Sequence, residues 1–294
     1  MDKYFVLGNP IAHSKSPLIH ARFAEMTGQS LQYERLLTPL DGFAATLAQL
    51  VQSGARGCNV TVPFKLQAFE AATTQSDRAQ LAQAANTLVF TFVSTPVFHE
   101  STGSAQPVTI HADNTDGVGL VNDIQNNAGV SLAGRDVLLI GAGGAGAGAL
   151  APLLAAGPRS VVLVNRTRAR ADALVARHRA HPSLKGLLQK TELVAHDLQG
   201  LARDFDVVIN ASASSLAGTG VPVAGSVLRP GALAYDMMYG PAAAGFMAWA
   251  DEHGATPRDG LGMLVEQAAE AFALWRSVRP APAQVLRELR ALLA

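Results

Sequence analysis

Residues 136–146 read DVLLIGAGGAG, and this stretch decides the fold. The opening run DVLLI is short and apolar, which is typical of a buried strand. Gly141, Gly143 and Gly146 then satisfy the pattern G-x-G-x-x-G, and an Ala/Leu-rich run typical of a helix follows. Glycines let the backbone turn tightly and approach a pyrophosphate, whose charge is stabilised by free N–H groups at the helix start. Such a pattern can occur by chance in a chain rich in alanine and glycine, but its place between strand and helix predicts dinucleotide binding.

The residues after the next predicted strand, SVVLV (160–164), indicate which dinucleotide is bound. NAD sites usually place an acidic residue there, and its carboxylate would repel the 2′-phosphate of NADP. This chain instead has Asn165, Arg166, Thr167 and Arg168, with Arg170 nearby. Guanidinium groups bind phosphate through forked, charge-assisted hydrogen bonds. The sequence therefore predicts NADP, with Arg166 at the strand tip as a phosphate ligand, whereas Arg168 and Arg170 could equally form a solvated helix face.

Strand and helix patterns alternate on both sides of this stretch, which predicts an α/β fold with mainly parallel strands. An apolar stripe from Leu261 to Trp275 predicts a C-terminal helix, and a second helix follows Pro282. Residues 91–111 are rich in Ser, Thr, Pro and Gly, so we interpret them as an extended hairpin or surface loop whose two histidines bind no metal. The other predicted strands are YFVLG, LQYERLL, GCNVT and 87–92 before the glycine turn and ELVAH, DVVIN and ALAYDM after it, with further helices at 17–27 and 43–51.

The composition excludes several classes of protein. The chain has 294 residues, 49% of them hydrophobic, which is enough for a sizeable core and suggests two domains. Basic and acidic residues number 23 each, so no basic field would attract nucleic acid. Residues 137–158 are uncharged, but glycines and prolines interrupt them, and we expect no membrane partner. A single cysteine, Cys58, and the lack of a long apolar N-terminal run favour a cytoplasmic protein.

Polar residues concentrate in four segments of the first half, each near the end of a predicted strand. Because ligands bind at the carboxyl ends of strands in open α/β sheets, we expect these segments to converge on one site. Each has an ordinary structural explanation as well: Ser16 could cap a helix, Asp116 could begin one, Asn86 could hold a turn and Lys65 could be a surface lysine. The segments are HSKSP (13–17), NVTVPFK (59–65), Asn86–Thr87 and DNTDG (113–117).

Taken in order, the motifs resemble those of the shikimate dehydrogenase family. They are GNPIAHSKSPLIH, NVTVPFK, ANTL, DNTDGVG, GAGGA, NRT, YDMMY and DGLGMLVEQAAEAF. The resemblance covers almost the entire chain, and HSKSP, NVTVPFK and DNTDG are specific to the family. It implies reversible reduction of 3-dehydroshikimate to shikimate by NADPH, a step of aromatic amino-acid biosynthesis, in a cleft between two domains. Residues 1–116 with 261–294 would form the substrate-binding and catalytic domain, to which the C-terminal helices return, and 117–260 would form a Rossmann-type NADP-binding domain.

The resemblance also implies a role for each matching residue. Lys65 and Asp116 would be the catalytic pair. The substrate would be bound by Ser14, Ser16, Thr61, Asn86, Tyr239 and Gln267. The cofactor would be bound by Asp77, Gly141, Ala142, Gly143, Gly144, Ala145, Asn165, Arg166, Thr167, Arg168, Arg170, Met237 and Gly260. No metal ligands are implied, and the chain could be a monomer or a homodimer.

The chemistry of these residue types suits the implied reaction. Hydride reduction of a ketone places negative charge on its oxygen, which a lysine ammonium can stabilise and protonate. A neighbouring carboxylate would orient that lysine, and two hydroxyls at a helix start suit a substrate carboxylate that does not react. Three features depart from the family pattern: the length of 91–111, Ala244–Gly245 where Thr-Pro is common, and Ser212 where threonine is usual. Of these, Ser212 alone affects the implied site, as a cofactor-side contact.

Other functions remain open at this stage. A quinate/shikimate dehydrogenase of broader specificity would have to accommodate an extra ring hydroxyl near the serines, and its NAD-using relatives usually carry an acid where this chain has Asn165 and Arg166. A catalytically silent NADP-binding regulatory module is disfavoured because Lys65 and Asp116 are both retained. A folate dehydrogenase/cyclohydrolase would have no role for the HSKSP segment.

Overall fold

The computed structural model describes residues 1–92, 108–212 and 220–293, which form two compact units. The first unit comprises residues 1–115 and 268–281, and the second comprises 116–267 and the chain from 282 onward. The sequence placed the last helix with the first domain. In the structure this helix, Pro282–Leu293, groups with the second unit, where Arg290 Nη2 donates a hydrogen bond to Asp259 Oδ1 (2.8 Å).

The first unit is a six-stranded mixed sheet with its helices. Strand β5 is antiparallel to both of its neighbours, and the other pairings are parallel, in the order β2-β1-β3-β5-β6-β4. A core of buried aliphatic and aromatic side chains, including Leu7, Phe64 and Leu88, packs around this sheet. The elements are β1 (Asp2–Gly8), α1 (Ser16–Thr27), β2 (Leu31–Leu37), α2 (Phe43–Gln52), β3 (Gly57–Val60), α3 (Lys65–Glu70), β4 (Thr74–Gln75), α4 (Asp77–Ala82), β5 (Thr87–Phe92) and β6 (Val108–Asp113).

Strands β4 and β6 are absent from the sequence prediction. The interpretation of 91–111 as an extended hairpin or loop holds at its two ends, where β5 and β6 pair antiparallel with Phe90 opposite Ile110. Residues 93–107, between these strands, lie outside the described residues. Strand β4 is only two residues long and pairs with β6, so no local hydrophobic pattern marks it.

The second unit is a doubly wound sheet. Its six strands are all parallel in the order β12-β11-β10-β7-β8-β9, the order of a dinucleotide-binding fold, and the predicted fold class is confirmed. Its elements are α5 (Asp116–Asn122), a π-helical turn (Asp123–Asn127), β7 (Asp136–Ile140), α6 (Gly144–Ala155), β8 (Ser160–Val164), α7 (Arg168–Ala180), α8 (Lys185–Leu188), β9 (Glu192–His196), β10 (Phe205–Asn210), β11 (Leu228–Asp236), α9 (Ala244–Glu252) and β12 (Thr256–Arg258). Helix α10 (Leu261–Arg276) continues into the first unit, and α11 (Pro282–Leu293) closes the chain.

A buried carboxylate holds together the amino-terminal ends of these strands. Asp136, the first residue of β7, accepts hydrogen bonds from Arg159, from Ser160 Oγ (2.7 Å) and from Arg229 Nη2 (2.8 Å). The Arg159 guanidinium is the main cause that holds the pKa of Asp136 well below its ordinary value, although burial of the carboxylate acts in the opposite direction. The glycine turn lies at the other end of β7, so this cluster is structural.

Within the described ranges, no helix has the combination of length and apolar character that a membrane span requires.

Candidate functional site

The two serines of the HSKSP segment lie together at the start of α1. Ser14 Oγ donates to Ser16 Oγ (3.2 Å), and Ser14 Oγ in turn accepts the Ser16 N–H (3.3 Å). The expectation that Ser16 caps the helix is wrong: the cap position is Lys15, and Ser16 is already the first helical residue. Arg35 donates from Nε and Nη2 to the carbonyl oxygen of Ser14 (2.9 and 2.6 Å), which fixes the backbone at this point. Two adjacent hydroxyls at a helix N-terminus suit a carboxylate ligand.

A tight turn after β3 carries Thr61 and Lys65. The Thr61 N–H donates to the Leu7 carbonyl (2.9 Å), and the Phe64 N–H returns to the Thr61 carbonyl (3.0 Å). Lys65 follows as the first residue of α3; it is half-buried, and its own carbonyl accepts the Ala85 N–H (2.8 Å). The backbone of this lysine is therefore fixed, and the residue follows the carboxyl end of β3, the end of a strand where ligands of α/β sheets bind.

Asn86 lies immediately before β5 with 3% of its surface exposed. Its Oδ1 accepts the Thr115 N–H (2.8 Å), and its Nδ2 donates to Thr115 Oγ1 (3.0 Å). The side chain thus joins β5 to the segment after β6. A structural role for Asn86 and a ligand-binding role are compatible. The hydrogen bonds that hold the amide in place also orient it before any ligand binds.

Asp77 is exposed as the first residue of α4. The helix is capped by the Ser76 Oγ, which accepts the Ala79 N–H (3.2 Å). Next to it, Arg78 forms an ion pair with the buried Asp113, and although burial alone would raise the pKa of Asp113, hydrogen bonds and charge from Arg78 hold it below its ordinary value. The contact of Asp77 with the cofactor stays a prediction.

Asp116 is buried as the first residue of α5, in agreement with the expected helix start. The helix lies close to α6: a Cβ added to Gly117 would be only 2.2 Å from the Gly148 carbonyl oxygen. A Cβ on Gly119 would lie 2.7 Å from the Gln267 backbone nitrogen. Gln267 therefore packs against α5 at Gly119, about one helical turn along that helix from Asp116. Gln267 is 8% exposed, and its Nε2 donates to the Leu264 carbonyl (2.8 Å).

The glycine turn joins β7 to α6 as the sequence predicts. Gly141 has φ of 112°, which favours glycine, and a Cβ on Gly146 would lie 2.0 Å from the Gly141 carbonyl oxygen. These two glycines are needed by the fold itself. Gly143 and Gly144 are exposed, and an added Cβ there would have no described neighbour within 4 Å, so space exists for a phosphate at the N-terminus of α6. Ala142 and Ala145 complete this turn, half-buried.

The segment after β8 lies beside this turn. Asn165 Oδ1 accepts the Ala142 N–H (3.1 Å), and its Nδ2 donates to the Thr167 carbonyl (2.9 Å), so the asparagine links the two loops. Arg166 is exposed at the strand tip, as predicted, and Arg170 is exposed on the first turn of α7.

Arg168 has two carboxylate partners: it pairs with Asp172 (3.0 Å) and with Asp197 (3.1 Å). Its guanidinium is thus engaged within the protein. The geometry favours the surface interpretation for Arg168, and leaves Arg166 as the better phosphate ligand.

Met237 and Gly260, two further residues predicted to bind the cofactor, lie together. A Cβ on Gly260 would lie 2.3 Å from the Met237 carbonyl oxygen, and the Met237 N–H donates to the Asn210 carbonyl (3.0 Å). Ser212 Oγ donates to Asn210 Oδ1 (2.7 Å), so serine supplies the hydroxyl that threonine usually provides at this position. Tyr239, two residues beyond Met237, is half-buried, and burial raises the pKa of its phenol.

The structure reveals further polar residues that the sequence analysis left without a role. Tyr33, Asn59 and Thr87 are buried and hydrogen-bonded to one another beside Asn86. Asn59 and Thr87 were in the singled-out segments, and their position next to Thr61 and Asn86 was the available signal. No cluster of metal-binding side chains occurs in the part of the chain that the structure describes, and His111 bonds Thr74 Oγ1 (2.9 Å).

Three family models match the chain. Residues 6–88 match the shikimate dehydrogenase substrate-binding domain, 123–218 match shikimate/quinate 5-dehydrogenase, and 260–290 match the shikimate 5′-dehydrogenase C-terminal domain. The NADP-dependent shikimate dehydrogenase of Acidovorax sp. (strain JS42) is 64% identical over 293 residues, covering 100% of this chain and 97% of the relative.

Two solved structures extend this likeness. A crystal structure of an Ael1 enzyme from Pseudomonas putida has a TM-score of 0.84 at 43% identity, covering 98% of each chain. The shikimate 5-dehydrogenase of Thermus thermophilus, in complex with NADP(H) and shikimate, has a TM-score of 0.79 at 30% identity, covering 99% of each chain. The likeness therefore spans both units of the structure and is not limited to the common glycine turn.

Proposed function

The chain belongs to the shikimate dehydrogenase family, and we propose that it interconverts 3-dehydroshikimate and shikimate with NADP(H), using Lys65 and Asp116 for proton transfer. It is an NADP-dependent oxidoreductase that acts on a CH–OH group. The observation that carries the residue assignment is that each family motif lies at a strand or helix end suited to a ligand: Lys65 begins α3, and Asp116 begins α5.

The residues present fit NADP. Gly143 and Gly144 leave open space at the N-terminus of α6, whose free N–H groups suit a pyrophosphate. Arg166 is exposed at the tip of β8 and carries the positive charge that a 2′-phosphate requires. When bound, the nicotinamide supplies or accepts the hydride. Asn165 supports this side by bonding the Ala142 N–H, which links the loop of Arg166 to the glycine turn.

On the substrate side, the hydroxyls of Ser14 and Ser16 bind the carboxylate, which takes no part in the chemistry. Lys65 stabilises negative charge on the carbonyl oxygen during reduction and donates a proton to it; in oxidation, the neutral amine accepts the hydroxyl proton. Asp116 orients Lys65 and balances its charge. Thr61, Asn86, Tyr239 and Gln267 bind hydroxyls or the ring, and the high pKa of Tyr239 keeps its phenol protonated as a donor.

The substitution Lys65→Ala tests the proton-transfer assignment. We expect kcat to fall by roughly 10²–10⁴-fold, the usual contribution of general acid–base catalysis, while the KM for shikimate changes less. Asp116→Ala should impair kcat as well, and the losses in the double variant should not add, because the two residues act as a unit. Lys185→Ala is the matched control, since Lys185 also begins a short helix. Near-normal kcat in folded Lys65→Ala protein would contradict the mechanism.

A four-way assay tests the substrate and cofactor assignments together. Purified protein is given shikimate or quinate with NADP⁺ or NAD⁺, and reduction is followed by absorbance. We expect the fastest turnover with shikimate and NADP⁺. Comparable rates with quinate would instead identify an enzyme of broader specificity, and no turnover in any combination would identify a silent NADP-binding module.

We also propose a cytoplasmic location. Support comes from Cys58, which is buried and whose thiol pKa is raised by that burial, so the cysteine is an inert core residue suited to a reducing compartment. Detection of the tagged protein in a secreted or periplasmic fraction would contradict this location.

A further inference from the structure

A buried chain of polar side chains leads to Asn86 from the interior of the first unit. Tyr33, Asn59, Thr87 and Asn86 are each at most 8% exposed. Tyr33 Oη donates to Asn59 Oδ1 (2.7 Å), and Asn59 Nδ2 donates to Thr87 Oγ1 (3.0 Å). Thr87 Oγ1 donates to Asn86 Oδ1 (3.0 Å). We propose that Thr87 and Tyr33 are positioning residues, which hold the Asn86 amide so that it meets the substrate as a hydrogen-bond donor. This inference rests on the proposed function, because it takes Asn86 as a substrate ligand.

Two backbone groups set the direction of every bond in this chain. The Asn86 carbonyl, which can only accept, lies 3.1 Å from one side-chain end of Asn59, so that end must be Nδ2. Asn59 Oδ1 therefore faces the Tyr33 hydroxyl, which donates to it. The second Nδ2 hydrogen goes to Thr87 Oγ1. The single hydroxyl hydrogen of Thr87 is then directed to Asn86 Oδ1 at 3.0 Å, which is nearer than the other oxygen in reach, Thr115 Oγ1 at 3.4 Å.

The second backbone group acts on Asn86 from the other side. The Thr115 N–H, which can only donate, lies 2.8 Å from Asn86 Oδ1. This oxygen thus accepts from both Thr87 Oγ1 and the Thr115 N–H, with Thr115 Oγ1 also 3.2 Å away, and its lone pairs are used inside the protein. Toward a substrate, Asn86 can act only through Nδ2, as a donor to a hydroxyl oxygen. Without Thr87, the amide loses its bond to β5 and is held by its bonds to Thr115 from one side.

Aromatic packing fixes the far end of the chain. The ring of Tyr33 stacks on His20 with 4.1 Å between the centroids and 8° between the planes. Burial lowers the pKa of His20 to about 3, and neither of its ring nitrogens has a hydrogen-bond partner among the described residues, so it packs as a neutral ring. Burial also raises the pKa of Tyr33, which keeps the phenol protonated and able to donate.

Steady-state kinetics of Thr87→Val test the inference, since valine keeps the shape of threonine and removes its hydroxyl. We expect the KM for shikimate to rise roughly tenfold, the factor for one lost hydrogen bond, with the KM for NADP⁺ unchanged. Thr87→Ser, which keeps the hydroxyl, should restore the KM. The matched control is Thr191→Val: Thr191 is 4% exposed, and its hydroxyl donates to the Pro158 carbonyl (2.7 Å) in the second unit. It should lose comparable stability without a change in KM.

Combination with Asn86→Ala separates positioning from a merely structural role. If Thr87 acts through Asn86, Thr87→Val should add nothing to the KM of the Asn86→Ala variant. If Thr87→Val does not fold, Tyr33→Phe is used in its place. We expect Tyr33→Phe to raise the KM for shikimate about threefold, and to leave the KM unchanged when Asn86 is already alanine.

The outcomes distinguish the two proposals. A raised KM in Asn86→Ala with wild-type KM in Thr87→Val, or additive effects in the double variant, would overturn the positioning role alone. An unchanged KM in Asn86→Ala would remove Asn86 from the substrate site, and the positioning role with it.

Discussion

In the glycine turn, Gly143→Ala adds one methyl group where the described residues leave open space within 4 Å. Gly143 has φ of −84° and ψ of −172°, which alanine adopts without strain. The free energy of unfolding should therefore be unchanged or raised by about 0.4–1 kcal/mol. Gly146→Ala is the opposite case, because its Cβ would lie 2.0 Å from the Gly141 carbonyl oxygen, and it should destabilise the protein by at least about 1–3 kcal/mol.

The expected effect of Gly143→Ala is on the cofactor. The methyl group would occupy the space through which the backbone approaches the pyrophosphate. Displacing the phosphates weakens their hydrogen bonds to the free N–H groups of α6, and such bonds to a charged group contribute about 1.5–3 kcal/mol. The Kd for NADPH should therefore rise roughly 10- to 150-fold.

Fluorescence titration with NADPH and urea unfolding of the same preparations measure the two effects separately. Gly245→Ala is the matched control, since Gly245 lies in α9 with no described neighbour within 4 Å of an added Cβ, and it should leave the Kd unchanged. A wild-type Kd in folded Gly143→Ala protein would refute the assignment of this turn to the pyrophosphate.

Three further predictions follow from the site and its support. Arg166→Asp should raise the Kd for NADPH at least tenfold relative to NADH, whereas Arg168→Asp should have a smaller effect because Arg168 is already paired; equal effects in parallel titrations would contradict this. Ser14→Ala should raise the KM for shikimate roughly tenfold and leave that for NADP⁺ unchanged, and a change confined to NADP⁺ would assign the serine to the cofactor. Asp136→Asn should lower stability at pH 7 by about 2–3 kcal/mol, allowing for its exposed arginine partners. Because the pKa of Asp136 is lowered in the folded state, its contribution is present above pH about 4 and is lost as the pH falls further, so urea unfolding should show the difference from wild type shrinking at pH 3; a constant difference would contradict it.

Most of the fold could be predicted because its signals are local. Strands β7 and β8 are short apolar runs, and the glycines that follow β7 mark its end without reference to any distant residue. Strand β6 was missed although Val108, Ile110 and Ala112 alternate with polar residues, because this short alternation directly follows a segment rich in Ser, Thr, Pro and Gly. What defines the strand is its pairing with β5. Long-range pairing leaves little trace in a single stretch of sequence.

The same distinction applies to the candidate site. Residue types and motif positions were sufficient to propose Lys65 and Arg166, but not to show which cations are already paired. The partner of Arg168 at Asp172 is four residues away and visible on a helix, whereas Asp197 lies in a distant segment. The role of Ser16 was mistaken for a related reason: its suitability as a cap was clear, but the helix begins at Ser16 itself.

The cluster around Asp136 has a consequence for how this enzyme can change during evolution. It links the starts of β7, β8 and β11, at the opposite end of the strands from the loop 165–170. Substitutions in that loop therefore leave the hydrogen bonds and ion pairs of Asp136 intact. Selection, or a protein engineer, can therefore change the preferred nicotinamide cofactor at one end of the sheet. The contribution of the Asp136 ion pairs at the other end to the free energy of unfolding is kept.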